Sequence, residues 1–384
     1  MTRILFYAPL KPPTHPVPSG DRTMARLLLL ALRQAGFDVM LASRLRARIA
    51  DPLEPLAQET MRAQAWGIAD RLIAKLRAAP KRARPKAVFT YHLYYKAVDW
   101  IGPRVAEALD IPYLVAEASH APKRAAGAWA FNHAGAEAAI AAADAIFCLN
   151  PNDKECLAQV TDRRRLVDLP PFLDLQSFAP VVPAHESARA QLAARHKLDG
   201  PRDLGRPWLL AVGMMRKGDK LASYQVLAEA LRRAKLARPL LLIIGAGEAQ
   251  AEVQRAFRDA PCAVRFLGAL PPEQLIGPYA ASDLLVWPAI NEAFGMALLE
   301  AQACGLPVLA GASGGVPAIV ADGKTGFLTP PGDAAKFAAG LKRALKSDLP
   351  KLGKAARAKV ARRHDLPAAA ANLARGLAKL GVKP

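Results

Sequence analysis

Twice along its length the sequence runs through one pattern, a short apolar, β-favouring run followed by a longer stretch of helical periodicity. Strand-like runs fall at 4–8, 39–42, 87–91, 113–116, 145–149 and 166–168, with helical patterns such as 23–34 and 105–109 between them. Parallel strands need a crossover of a dozen residues or more, usually a helix, so this alternation predicts a parallel, doubly wound α/β sheet. A polar, proline-containing stretch at 170–207 interrupts it, holding one helical pattern at 185–196. The alternation then resumes at 208–212, 240–244, 264–267, 284–286 and 307–310. At 384 residues the chain exceeds the usual size of one hydrophobic core. The expectation is two Rossmann-like domains in series, 1–180 and 181–365, with a C-terminal segment at 366–384. In such sheets ligands bind outside the carboxyl ends of the strands, so two domains facing each other put their functional residues on either side of a cleft.

Composition narrows the partners. A hydrophobic fraction of 52% with 22% charged residues is that of a globular chain. The formal charge of +20 asks for an anionic partner or surface. Basic clusters stand at Lys75, Arg77, Lys81, Arg82, Arg84 and Lys86, at Arg163 to Arg165, and across 342–363. Interleaved Ala and Leu give these stretches the look of amphipathic helices suited to anionic phospholipid headgroups, although solvated helix faces account for the charge equally well. Nucleic acid is not expected, because zinc-finger spacing, RNA-recognition aromatics and heptad-linked basic helices are absent. The four cysteines form no CxxC pair and read as free thiols in a reducing cytosol. The first apolar run is cut by Pro9 and reads as a strand rather than a signal peptide, and no stretch has the length of a membrane span. These features predict a cytoplasmic protein with peripheral contact to the inner face of a membrane.

The chemistry concentrates after the strand-like run at 284–287. There Glu292 and Glu300 are separated by seven residues, and Gly295 precedes a helical pattern buried through Met296, Leu298, Leu299 and Ala303. The free N–H groups at such a helix start can face a diphosphate. Glu300, about two turns on, lies near the same side of the axis as Glu292. One carboxylate can then accept from sugar hydroxyls and the other from ribose hydroxyls. No DxD and no His and carboxylate cluster with ligand spacing is visible, so a cationic, metal-free leaving-group site is the consistent reading. The lone GxG at Gly245 and Gly247 lacks the third glycine of a dinucleotide fingerprint, which disfavours an oxidoreductase.

The segment 288–308 resembles the E-x7-E motif of glycosyltransferase family 4, the large retaining group of GT-B fold. The resemblance implies that Glu292 contacts the donor sugar, that the Phe294, Gly295 and Met296 backbone holds the distal phosphate, and that Glu300 binds the ribose. Ile243 to Glu248 is similar to the family's strand and GxG turn, Val264 to Gly268 to its next strand, Gly314-Gly315-Val316-Pro317 to its GG-P loop beside the donor, and 322–328 to its DG-x-TG-x-L turn. There are two departures. Ala318 stands where the family usually has glutamate. Its Gly-Arg and Lys-Gly phosphate cations are here shifted, leaving Arg216 with Lys220, or Lys217 in place of Lys220, to neutralise the diphosphate.

In the first domain, Pro18-Ser19-Gly20-Asp21-Arg22 resembles the family's glycine-containing loop, with Gly20 allowing close approach of a ligand. His120, past the fourth strand-like run, matches a histidine that family members carry near the reacting centre; His92 is a weaker candidate. Glu117, Lys123 and Arg124 stand close by for an anionic acceptor. The end of the chain is similar to the family's C-terminal helices, the last of which crosses back to the first domain. The implied activity is retaining transfer of a hexose-type sugar from a nucleotide-diphosphate sugar to a glycan, lipid-linked or other acceptor hydroxyl. Glu292, Arg216, Lys220 and His120 would carry it, with no metal and no cofactor beyond the donor itself. In the front-face route generally favoured for the family, the leaving phosphate oxygen takes the acceptor proton. Two other readings share the architecture: a non-catalytic sugar-nucleotide-binding scaffold, and a nucleotide-sugar epimerase or phosphorylase.

Overall fold

The computed structural model describes the chain apart from residues 18, 53–55, 179–181, 199–203 and 237, and the side chain of residue 177. Pro18 and the expected boundary at 180/181 therefore lie outside the described residues. The chain forms two compact units, one of residues 1–170 with 366–384 and one of residues 171–365.

In the first unit, β1 (Arg3–Tyr7), β2 (Asp38–Leu41), β3 (Ala87–Leu93), β4 (Tyr113–Ala118), β5 (Ala145–Cys148) and β6 (Leu166–Asp168) make one parallel sheet in the order β2-β1-β3-β4-β5-β6. Strands of such a sheet are covered on both faces, which is why Ile4 to Tyr7 are all buried and read as a continuous apolar run rather than an alternating one. Helix Gly20–Gln34 starts at Ser19, whose side chain accepts from the Arg22 amide, and buries Met24, Leu27, Leu28, Ala31 and Leu32 at helical spacing. Helix Leu366–Lys379 packs against it within the same unit.

The second unit repeats the plan with β7 (Trp208–Val212), β8 (Leu240–Ile244), β9 (Ala263–Gly268), β10 (Leu284–Trp287), β11 (Val308–Gly311) and β12 (Gly326–Thr329). All are parallel, in the order β12-β11-β10-β7-β8-β9. In sequence, 322–328 resembles a turn throughout. Only 322–325 turn, and Gly326 opens an edge strand in register with Val308. This strand is four residues long and opens on a glycine, too little for periodicity to announce it. The unit begins earlier than the composition suggested because 171–175 is fastened to its far end. The Leu173 amide donates to the His364 carbonyl at 2.8 Å and the Leu175 amide to Asp365 Oδ1 at 3.1 Å. The buried His364 ring bonds the Pro171 carbonyl through Nδ1 at 2.7 Å.

The four cysteines are unpaired, with Cys148, Cys262 and Cys304 buried. No helix of the described residues is long and apolar enough to cross a membrane.

Candidate functional site

In each sheet the chain reverses its direction of travel once, between β1 and β3 in the first and between β7 and β10 in the second. The loops leaving those strands diverge there and open a crevice at the carboxyl edge. The residues singled out from sequence fall largely on these loops.

In the second unit, the loop after β7 leads through Gly218 into helix Asp219–Ala234, and the loop after β10 leads through Gly295 into helix Met296–Ala303. Lys220, in the first turn of its helix, places Nζ 2.5 Å from Glu292 Oε2 and 5.3 Å from the centre of the Trp287 ring. The same carboxylate oxygen accepts from the Trp287 indole N–H at 3.1 Å. Among the described residues nothing donates to Oε1, so one edge of Glu292 is held by protein and the other is open to a ligand. The loop carrying Glu292 is pinned at three more points. Ser223 Oγ accepts from the Ile290 amide, Asp219 from the Asn291 side chain, and Ser313 Oγ from the Glu292 amide, at 3.0, 3.0 and 3.2 Å. Ala289 and Asn291 are both left-handed, at φ of 53° and 49°. A constrained backbone there is a cost that such supporting bonds sustain.

The predicted glycines serve this backbone geometry. A Cβ on Gly314 would stand 2.0 Å from the Glu292 carbonyl oxygen, and the Gly315 amide donates to the Ala293 carbonyl at 2.8 Å, so the GG loop lies directly against the loop of Glu292. Gly245 and Gly247 do the same for the loop after β7, since side chains there would meet the Gly213 and Met215 carbonyls at 1.9 and 2.3 Å. Gly295 is left-handed at φ 70° and is the N-cap of its helix. Met296 and the residue after it have helical N–H groups with no acceptor one turn back, which leaves a partial positive charge beginning four residues beyond Glu292. Phe294 is half-buried just before it.

Glu300 sits in the second turn of that helix and accepts from the Tyr279 hydroxyl at 2.9 Å. Burial pushes its carboxyl up to about 7, against the lowering effect of the Tyr279 bond. Arg216 is exposed and its side chain makes no hydrogen bond or ion pair among the described residues. Lys217 is exposed too, and its backbone amide faces Glu248 at 3.4 Å. Of the two lysines weighed from sequence, Lys220 is the one the fold brings to Glu292. At Ala318, where the family's glutamate is missing, Lys359 Nζ takes the carbonyls of Ala318 and Ile319 at 3.1 and 2.8 Å, and burial pushes this ammonium down to about 8. Trp287, Ser223, Tyr279 and Lys359 were not singled out from sequence. Trp287 ends a strand that was, and the others carry no local signal.

In the first unit, Gly20 opens the helix after β1, and nothing lies within 4 Å of where its Cβ would be. Asp21 Oδ1 meets His92 Nδ1 at 3.0 Å, joining the ends of β1 and β3. Burial raises the Asp21 carboxyl, but the His92 bond and charge outweigh this and hold it below the usual value. His92 and Glu117 are left-handed, at φ of 64° and 60°. Glu117 is not a solvated charge beside an acceptor. It is 5% exposed, and burial, with Asp153 next, raises its carboxyl well above the ordinary range. His120 lies just past β4 with a 6% exposed side chain, its Nε2 3.1 Å from Glu137 Oε2. His133 is beside them, its ring centre 5.2 Å from that of His120. The sequence offers no His and carboxylate cluster with ligand spacing, yet the fold places these three side chains together. Spacings of 13 and 4 residues across a loop and a helix match no linear ligand motif, and only folding brings the three together.

Residues 202–363 match the family model described as glycosyl transferases group 1. Two curated relatives, both named D-inositol 3-phosphate glycosyltransferase, are 36% identical over 183 residues in Corynebacterium jeikeium and 33% identical over 201 residues in Xylanimonas cellulosilytica. These alignments cover 44% and 50% of this chain but 41% and 46% of the relatives, so the chain spans less than half the length of the curated relatives it matches. Over the whole chain the fold is similar to solved GT-B structures. Sucrose-phosphate synthase from Thermosynechococcus elongatus superposes with a TM-score of 0.71 at 24% identity, covering 99% of both chains. Anabaena HepE, solved in complex with UDP and glucose, has a TM-score of 0.66 at 15% identity, over 99% of this chain and 100% of that one.

Proposed function

We propose that the chain, whose residues 202–363 match the family model described as glycosyl transferases group 1, moves a hexose-type sugar from a nucleoside-diphosphate sugar to an acceptor hydroxyl with retained anomeric configuration. The observation that carries the proposal is the convergence at the switch point of the second sheet. Glu292 is held on one edge by Lys220 and Trp287, four residues ahead of a helix start with free amides. In this reading the open Oε1 of Glu292 accepts from a sugar hydroxyl. Lys220 and the amides before and at Met296 stabilise charge on the departing diphosphate, with Arg216 free to swing onto it from the same loop. Glu300 accepts from the ribose, and His120 keeps the role that the family resemblance implies. The task is charge stabilisation at an oxocarbenium-like transition state, which these cations and amides supply without a metal. That HepE was solved with UDP and glucose supports a nucleotide-sugar ligand on a chain of this fold.

Binding of a panel of nucleotide sugars and nucleoside diphosphates in EDTA, with donor hydrolysis followed in the same samples, tests this directly. One donor should bind and turn over slowly, and Glu292→Ala should abolish that turnover. Binding by no member of the panel would sink the proposal.

The charge of +20 supports a further part of the proposal, peripheral contact with anionic lipid headgroups. Vesicles containing anionic phospholipid should retain the chain at low salt and release it at ~1 M, where the Debye length is about 3 Å. Equal retention by neutral vesicles would remove the lipid from this reading.

A further inference from the structure

His133 is a buried imidazole that the chain leaves unsatisfied. It is 5% exposed, its Nε2 is buried without a partner, and its Nδ1 stands 3.8 Å from Glu137 Oε2, beyond hydrogen-bond reach. Polar groups buried this deeply are nearly always bonded, and an exception asks for an explanation. For Nδ1, the ring nitrogen that faces Glu137, the surroundings supply one. Glu137 lies one turn further along helix Ala130–Ala142, on the same face as His133, and His120 comes in from the loop after β4 to place Nε2 3.1 Å from the same carboxylate oxygen. One donor atom from each of the three residues lies within 4.8 Å of the other two. Ligands bound at ~2.0–2.1 Å around a tetrahedral ion stand about 3.4 Å apart. The separations of 3.1 and 3.8 Å bracket that value, which is too long at His133 for a proton to bridge and right for an ion.

We propose that His120, His133 and Glu137 form a binding site for one divalent transition-metal ion of the zinc class. Two imidazoles and a carboxylate are the donor set of zinc and its neighbours rather than of magnesium or calcium, which take oxygen ligands. Three protein ligands leave a fourth position, and the Glu137 side chain, 46% exposed, marks the side from which an ion and its water enter. All three residues belong to the first unit, and the ion site stands whether or not the reading of the second unit does. An ion bound here engages His120 Nε2 and withdraws that histidine from any other ligand, so occupancy is a means of controlling what His120 does.

The test is a titration of the full, untagged chain, stripped with EDTA and desalted, with Zn2+ followed by calorimetry and with Co2+ followed by visible absorption. One equivalent of each ion should bind, Co2+ with the strong d–d bands of four-coordination. Glu137→Gln keeps the helix and the side-chain volume; His133→Leu fills the buried site. Each should weaken Zn2+ binding by no less than the ~10–100-fold that loss of a ligand's supporting group costs. Circular dichroism of the metal-free variants checks the fold, and if His133→Leu does not fold, the half-exposed Glu137→Gln decides alone. A cobalt–thiolate charge-transfer band would assign the ion to the cysteines. That result, the absence of a stoichiometric site, or undiminished binding in a folded variant overturns the proposal.

Discussion

Lys220→Met is expected to lower turnover of the donor by about 10²–10³-fold, the usual consequence of removing a group aimed at charge that develops in the transition state. Nothing else in the described structure takes over its place. Arg216 and Lys217 are exposed, whereas Lys220 is held between the Trp287 ring and Glu292 Oε2 in the resting protein. That resting ion pair also predicts how the two residues combine. With Lys220 gone, Glu292 keeps only the indole N–H; with Glu292→Gln, Lys220 loses its counter-charge but the Trp287 bond can persist. Each change therefore disables part of one unit, and the double variant Lys220→Met/Glu292→Gln should be little worse than the poorer single one, as contacting residues are not additive. Single-turnover consumption of the bound donor measures this, with thermal midpoints as a control for folding. Retention of most of the wild-type rate by Lys220→Met would remove that lysine from the site and return the role to Lys217 or Arg216.

The choice between those cations shows where the sequence stops being legible. The strands are read easily, because a parallel sheet covered on both faces leaves runs such as Leu240 to Ile244 unbroken by polar residues. The E-x7-E segment is legible through its neighbours, since two glutamates at this spacing are common and it is the surrounding FG, LLEA, ACGLPV and GG that carry the family resemblance. Whether Lys217 or Lys220 reaches Glu292 depends on one residue, Gly218, which begins the helix and so sets the phase in which Lys220 turns inward. Periodicity fixes helix ends only to within a residue or two. The glycines show a second limit. Gly245 and Gly247 stand in a stretch similar to the family's GxG turn, and Gly314 in one similar to its GG-P loop beside the donor. In the structure each makes room for a neighbouring carbonyl, and their service to a ligand is to hold the loops that carry Lys220 and Glu292. Contacts such as Lys359 to the Ala318 carbonyl, or His133 to Glu137 and His120, join residues from separate elements and leave no trace in linear spacing.

Glu300 yields the second large effect, through its proton. In the free protein its carboxyl is pushed up to about 7 by burial, offset in part by the Tyr279 hydroxyl. For stability the sign is unfavourable on the alkaline side. An unfolded glutamate ionises near ~4.3, so this group's contribution is full below that value and is lost as pH rises through about 7. For binding the sign is opposite. Ribose hydroxyls donate to the carboxylate form, so a bound nucleotide lowers the pKa of Glu300, and below about 7 binding must first expel its proton. Affinity for the nucleoside diphosphate should therefore level off above pH 7 and fall towards tenfold per pH unit below it. Calorimetry at pH 6 in buffers of different ionisation enthalpy should show close to one proton released from this group. The diphosphate itself titrates in the same range, so the comparison is with Glu300→Gln, which cannot release that proton. The variant should bind about 10–100-fold more weakly at pH 8, having lost charge-assisted hydrogen bonds of ~1.5–3 kcal/mol, and show a slope shallower by one proton. Equal slopes for the two proteins would mean that the carboxyl of Glu300 does not meet the nucleotide, whatever its distance from Glu292 in sequence.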